Sequence, residues 1–202
     1  MIRQENAVQR KFNPAMVPPG GHHFPKLPGN APLDVEVGCG VGLHPIRYAG
    51  EHPERHLLAI EQTALKYAKF DRRIKNHPHL TNLYPLHANA ISVITHDLSS
   101  ESVANYFFLY PNPYPAHRRW HRMPFMQQVL DTLIPGGRIH LATNEQEYAL
   151  EAQVYFESVW NLDLISFKEI NQRDFPARTH FEKKYLERNQ TCYDLCFEKG
   201  ED

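Results

Sequence analysis

The sequence predicts an α/β protein: a doubly wound, mostly parallel seven-stranded sheet with an antiparallel C-terminal strand. Three observations carry the expectation. From Leu33 onward, short apolar or β-branched runs alternate with stretches of helical spacing, the pattern of a parallel sheet covered on both faces. Asp34-Val-Glu-Val-Gly-Cys-Gly-Val-Gly42 is one such run, and it breaks into glycines at alternate positions, Gly38, Gly40 and Gly42. Leu57-Leu-Ala-Ile-Glu-Gln62 is another, and it stops on a carboxylate, Glu61.

Residues 1–30 are rich in Pro, Gly and His and read as an irregular N-terminal arm, mobile at its start, while 31–202 read as a single domain. Strands are expected at 33–38, 56–61, 80–86, 105–110, 137–143, 162–168 and 191–198. Helices are expected at 43–50, 63–76, 90–96, 122–133 and 145–159. The helix over 63–76 carries Ala64, Tyr67, Ala68 and Ile74 at helical spacing. Gly136-Gly137 reads as the end of the helix before the strand at 137–143. No clear helix separates the last two strands, so an antiparallel, hairpin-like end is expected, with a loop at 169–190.

A strand that breaks into glycines lets the backbone come close to a ligand. A carboxylate about 20 residues later, at the tip of the next strand, can hydrogen-bond a ribose diol. Together they point to a nucleoside cofactor across the carboxyl ends of the strands. The plainer alternative is a Gly-rich turn after a buried strand. The dinucleotide fingerprint G-x-G-x-x-G wants glycine where Leu43 stands, and G-x-x-x-x-G-K-[ST] is absent, which disfavours NAD, FAD, ATP and GTP. Glu36 precedes the glycines. The resulting E-x-G-x-G-x-G resembles the loop of S-adenosylmethionine-dependent methyltransferases. That cofactor carries no phosphate, and its cationic end suits Glu36, directly or through water.

Composition sets bounds. A chain of 202 residues suits one α/β domain with a full core. No apolar run approaches the roughly 20 residues of a membrane span. The start, Met-Ile-Arg-Gln-Glu-Asn, lacks the apolar core of a signal peptide, so a cytoplasmic protein without membrane contact is expected. Cys39, Cys192 and Cys196 form neither a metal nor a disulfide pattern, and the pairs His52 with His56 and His117 with His121 do not argue for a metal. The formal charge is −1, so RNA binding has to come from a local patch.

One segment offers such a patch. The fourth strand runs into Pro111-Asn112-Pro113-Tyr114-Pro115, whose prolines fix the backbone and hold Asn112 and Tyr114 rigidly. No Asp or Glu occurs between Glu101 and Asp131, while Arg118, Arg119 and Arg122 fall inside that window beside Trp120. Arginines for phosphates and an aromatic for stacking suit RNA. A solvated basic helix start is the competing reading.

Here the chain resembles the TrmB-type tRNA (guanine-N7)-methyltransferases. The likeness runs from about Leu33 to Lys199. It takes in Val35-Glu-Val-Gly-Cys-Gly40, Ala59-Ile-Glu-Gln62, His87-Ala-Asn-Ala90 and Tyr110-Pro-Asn-Pro-Tyr-Pro115. It continues through Pro135-Gly-Gly-Arg-Ile-His-Leu-Ala-Thr-Asn144, Arg178-Thr-His-Phe-Glu-Lys183 and Tyr193-Asp-Leu195. The resemblance implies a class I, Rossmann-like methyltransferase fold and S-adenosylmethionine as cofactor. It places cofactor contacts on Glu36, Gly38, Gly40, Gly42, Glu61, Gln62, Asn89, Ala90 and Asn112. Catalytic roles fall on Asn112 and Glu182. Contacts to tRNA or other RNA fall on Ala116, Arg118, Arg119, Arg122, Asn144, Thr179 and Glu182. A monomer or homodimer is expected.

The chain also departs from the family. Where the family reads P-D-P-W-P-K, this sequence has Pro111-Asn112-Pro113-Tyr114-Pro115-Ala116, so an Asp and a Lys are lost. The family's T-D is Thr143-Asn144, and its K-R-R is His121-Arg122-Met123. Three functions remain open: guanine-N7 methylation of tRNA, methylation of a different acceptor, and non-catalytic binding of cofactor or RNA. The intact glycines and carboxylates favour an enzyme, whereas the altered loop bears on its acceptor.

Overall fold

The computed structural model describes residues 10–171 and 176–201. In chain order it contains β1 (Leu33–Val37), α1 (Leu43–Glu51), β2 (His56–Glu61), α2 (Ala64–Ile74), β3 (Leu83–His87) and α3 (Ala90–His96). There follow β4 (Val103–Leu109), α4 (Met126–Thr132), β5 (Leu133–Thr143), α5 (Gln146–Ser158), β6 (Leu162–Ile170), α6 (His180–Leu186) and β7 (Cys192–Lys199). The seven strands lie in the order β3-β2-β1-β4-β5-β7-β6. The first five are parallel, and β7 enters antiparallel between β5 and β6. This is the expected sheet.

The central strands β1 and β2 are buried on both faces, so alternate residues feed two cores. Leu58 and Ile60 pack with α3, α4 and α5 through Val93, Met126 and Phe156. Leu57 and Ala59 pack with α1 and α2 through Ala49 and Phe70. Asp34, fully buried in β1, accepts from both Arg55 Nε and Nη2 at 2.6 Å, from Tyr48 Oη at 2.8 Å and from Asn105 Nδ2 at 2.7 Å. A buried carboxylate is tolerable only when paired in this way. The network ties β1 to α1, β4 and the turn before β2.

Three expectations need correction. The loop anticipated at 169–190 contains α6, which Thr179 caps by accepting from Glu182 N at 3.0 Å. Residues 172–175 of that stretch lie outside the described residues, as do residues 1–9, on which the mobile start of the arm was expected. Gly136-Gly137 does not end a helix: α4 stops at Thr132 and both glycines lie within β5. There β5 bulges, pairing Val103 with Leu133 but Asn105 with Arg138, and Gly136 takes a φ of 69° to absorb the extra residues. The stripe proposed for α2 is also wrong. Ala64 and Ala68 are exposed, and Phe70 is the buried residue of that helix.

The described part of the arm runs along the α3 side of the sheet. His22 meets Asp97 at 2.7 Å, Ser92 Oγ donates to the Pro18 carbonyl at 3.0 Å, and Phe12 packs edge-on to Phe125.

Candidate active site

The strand order reverses at β1, whose neighbours are β2 and β4. At that switch the segments leaving β1 and β4 part to opposite sides of the sheet, opening a crevice at the carboxyl ends. The glycine loop leaves β1 there. Gly38, Gly40 and Gly42 all have positive φ, from 62° to 84°. A Cβ built on Gly38 or Gly40 meets nothing within 4 Å, so this side of the loop is open to a ligand. Gly42 has the opposite reason to be glycine, since a Cβ there would fall 2.0 Å from the Phe70 ring.

Two carboxylates frame the loop. Glu61, at the tip of β2 and 4% exposed, accepts from Gly40 N at 2.9 Å and from Thr63 N at 2.7 Å. Each of its oxygens keeps a further lone pair for a hydroxyl. Glu36 meets His44 Nδ1 at 2.8 Å under the loop. Burial first, then Glu36 and Glu61, pushes the Cys39 thiol up, so it is not a thiolate nucleophile. Gln62 and Asn89 are exposed beyond β2 and β3, and Asn89 caps α3 by accepting from Ile91 N at 2.9 Å; Ala90 is buried. The residues expected to hold a nucleoside thus converge on one edge of the sheet. An open glycine backbone flanked by two carboxylates fits a cationic, phosphate-free nucleoside.

Thr179, His180 and Phe181 form the facing wall and narrow the cleft to about 170 Å³.

The proline-rich loop follows β4 on the far side of the switch. Tyr110 takes a φ of 54°, and its N–H donates to the Ala142 carbonyl at 2.7 Å. Asn112 is exposed, and its Oδ1 accepts from Tyr114 N at 3.1 Å, an Asx turn. Asn144 is half-buried and donates to Glu145 Oε1 at 3.0 Å. Ala116, half-buried, opens a short 3₁₀ turn.

The basic window after this loop is not the surface its sequence suggests. Arg119 is 2% exposed and its Nη1 lies 2.6 Å from Glu151 of α5. Arg122 and His121 converge on the same carboxylate. Trp120 is half-buried between Phe108 and Phe125, with ring centroids at 5.3 and 5.8 Å, and is not a free stacking platform. Of the arginines expected to touch RNA here, Arg119 is buried against Glu151, whereas Arg122, with about a third of its side chain exposed, pairs with the same carboxylate. An acid-free stretch in sequence is not acid-free in space, because α5 brings Glu151 to it. Arg118 alone of the three is exposed without a side-chain partner among the described residues.

Glu182 is likewise committed. It is 2% exposed, and its carboxylate accepts from Tyr110 Oη at 2.9 Å, Arg178 Nη2 at 2.8 Å and Arg178 N at 2.5 Å. Burial pushes its pKa up, but the Arg178 guanidinium outweighs this and holds it below the ordinary range. In this geometry Glu182, the residue expected to be catalytic or to touch guanosine, is a post for the start of α6. Arg178 also reaches Asp194 of β7 at 2.8 Å. Sequence reasoning noted Arg178, Tyr110 and Asp194 but assigned them nothing. His44 and Lys66, which line the cleft, it missed altogether.

A class I methyltransferase, Rossmann-like and dependent on S-adenosylmethionine, is the kind of protein this topology and crevice define. Solved methyltransferases share the fold: the 16S rRNA methyltransferase KamB superposes with a TM-score of 0.63 at 18% identity, covering 84% of this chain and 88% of its own. A S-adenosylmethionine-dependent methyltransferase from Aquifex aeolicus gives 0.57 at 12% identity, with coverages of 84% and 82%. Residues 30–195 match the family described as "Putative methyltransferase". The tRNA (guanine-N(7)-)-methyltransferase of Nitrosomonas eutropha is 30% identical over 174 residues, 84% of this chain and 77% of that protein. Its counterpart in Nitrosomonas europaea is 28% identical over 171 residues, 83% and 76%. The chain belongs to this family, the TrmB-type methyltransferases.

Proposed function

We propose that this protein transfers the methyl group of S-adenosylmethionine to N7 of a guanine in tRNA. The observation that carries the reading is the open glycine loop between Glu36 and Glu61, facing the proline-rich loop across the β1–β4 switch. Kinship with the Nitrosomonas enzymes supports the acceptor. We read 31–202 as the methyltransferase domain and 1–30 as an arm on it, working in the cytoplasm as a monomer or homodimer.

The cofactor, when bound, supplies an electrophilic methyl group. The protein's task is to position the two partners. N7 of guanine already presents a lone pair, so no residue needs to take a proton from it. The base becomes cationic as the methyl arrives, and acceptors beside it stabilise that charge. Asn112 and Asn144 are the polar groups offered from the loops after β4 and β5. Asn accepts a hydrogen bond from N1–H or N2–H but brings no charge. By analogy with other lost transition-state donors, this lowers the rate by about 10²–10³. A second reading, a different methyl acceptor, is favoured by that same pair together with the engaged state of Glu182.

The test is transfer from labelled S-adenosylmethionine to tRNA lacking the modification, run beside calorimetry with S-adenosylhomocysteine. Wild type should bind the product cofactor. Glu61→Ala should bind it about 10- to 100-fold more weakly, the range of one charge-assisted hydrogen bond. No binding by wild type at millimolar ligand would remove the methyltransferase reading.

A further inference from the structure

Glu151 engages Arg119 and Arg122, so unpaired cations elsewhere on the molecule bear on RNA binding. We infer that the outer face of α2, with the start of α6, is the surface that holds the phosphate backbone of the RNA. The inference rests on the reading of the protein as a tRNA methyltransferase.

Helix α2 buries little beyond Phe70, and its remaining surface is cationic. Lys69 and Arg72 are exposed and have no side-chain partner among the described residues. Arg73 is half-buried, and its Nη1 donates to the Val41 carbonyl at 3.1 Å and meets His180 Nε2 at 2.8 Å. Neither partner is an anion, so its charge stays uncompensated. Lys66 is exposed with its ammonium 5.8 Å from the Phe181 ring. The one carboxylate of α2, Asp71, is taken by Lys75 at 2.8 Å. On α6, Lys184 is exposed one turn beyond His180, and Lys183 lies 3.8 Å from Glu187. Burial, then Arg73 and Lys183, pushes the His180 ring down, so at neutral pH it adds no charge.

A basic helix face is ordinarily just solvated. Position and shape separate this one. Lys69, Arg72, Arg73 and His180 surround an open hollow of about 420 Å³ that also borders Val41. Val41 belongs to the glycine loop, so the hollow adjoins the cofactor cleft. Arginine forks beside unpaired lysines match phosphate oxygens. A chain of phosphates lying here would bring its nucleotides to the mouth of the crevice. The window after the proline-rich loop has instead surrendered two of its three arginines to Glu151.

The experiment compares wild type, Lys69→Ala with Arg72→Ala, and Arg118→Ala. Each is titrated by fluorescence anisotropy with unmodified tRNA and with a mixed-sequence single-stranded RNA, across a salt series. Neither α2 residue touches the cleft, so S-adenosylhomocysteine affinity and the melting temperature should be unchanged. Two lost phosphate contacts should flatten the slope of log K against log salt by about 1.4–1.8. Between 50 and 200 mM salt, wild type should then lose about tenfold more affinity than the double variant. Arg118→Ala should change the slope by less than half as much. An unchanged slope in the double variant, with wild type binding RNA, would overturn the inference and leave the tRNA methyltransferase reading intact. No binding of either RNA by wild type at low salt would also overturn it. Loss of RNA binding in the double variant, in a protein that methylates no tRNA, would uphold the surface and sink the substrate assignment.

Discussion

Glu151 should be among the most costly single positions to truncate. It is 13% exposed and gathers Arg119, His121 and Arg122 from the segment after the proline-rich loop. Replacing it with Ala removes the short, buried partner of Arg119, whose side chain is 2% exposed, and leaves it only the exposed Glu147 at 3.5 Å. Breaking a buried pair from one side costs about 3–5 kcal/mol. Arg119 keeps Glu147 Oε1 at 3.5 Å from its Nη1, its bond to the Pro113 carbonyl at 3.2 Å and its position 5.1 Å from the Tyr148 ring, and Arg122 can swing towards water. Those remnants set the expectation at the lower end, about 3 kcal/mol, or a fall of about 6–12 °C in melting temperature for a domain of this size. Arg119→Met combined with Glu151→Leu strands no charge between them and should cost less than Glu151→Ala alone. Thermal unfolding by circular dichroism reads both. A fall below about 2 °C for Glu151→Ala, or a double variant as unstable as the single, would refute the view that these arginines are structural.

Three further outcomes follow from the geometry. Gly42→Ala should cost about 2–5 kcal/mol, combining a left-handed backbone at φ 84° with a Cβ 2.0 Å from the fully buried Phe70 ring, and urea unfolding measures it. Burial, aided at His121 by Arg122 and Arg119, holds His121 down to about 3 and His140 to about 4. Both stay neutral when folded but bind protons when unfolded below about 6.5, so stability should fall as pH drops from 6.5 towards 4, by up to about 2.7 kcal/mol per pH unit. A urea midpoint flat between pH 6.5 and 4.5 would contradict that assignment. Asn112→Asp preserves the turn to Tyr114 N and adds a charge, so with Ala116→Lys it should raise N7 methylation by about 10²–10³ in kcat without changing cofactor affinity. Asn144→Asp should add less, because Glu145 Oε1 lies 3.0 Å from the Asn144 amide and would repel a carboxylate.

Much of the fold was legible because it is written in local signals. The β2 span at His56–Glu61 and the α3 span at Ala90–His96 coincide with the expected limits. Apolar runs and glycine breaks were enough for the order of strands and helices up to β6, and the antiparallel end holds although α6 stands before β7. Helix α6 escaped because it is short and polar, although Thr179-His-Phe-Glu182 carries the T-x-x-E spacing of a capped start. The bulge at Gly136 escaped because a Gly-Gly pair marks a helix end and a strand irregularity alike. The shared edge of the glycine loop, Glu36 and Glu61 was legible because β1 and β2 are neighbouring parallel strands whose tips lie side by side. The pairing of Arg119, Arg122 and Glu182 was not legible because their partners come from elsewhere in the chain. Glu151 lies 32 residues from Arg119, and Tyr110 lies 72 from Glu182. Charge in a sequence window counts residues, whereas charge on a surface depends on what packs against them.

The most direct measurement of the central claim is the identity of the methylated product. Wild-type protein, labelled S-adenosylmethionine and unmodified tRNA are incubated, the RNA is digested to nucleosides, and the labelled species is separated and weighed. The account predicts label in 7-methylguanosine, reduced in Glu61→Ala through weaker cofactor binding. Label in any other nucleoside would contradict the guanine-N7 assignment, and no label from a protein that still binds S-adenosylhomocysteine would contradict its catalysis of tRNA methylation.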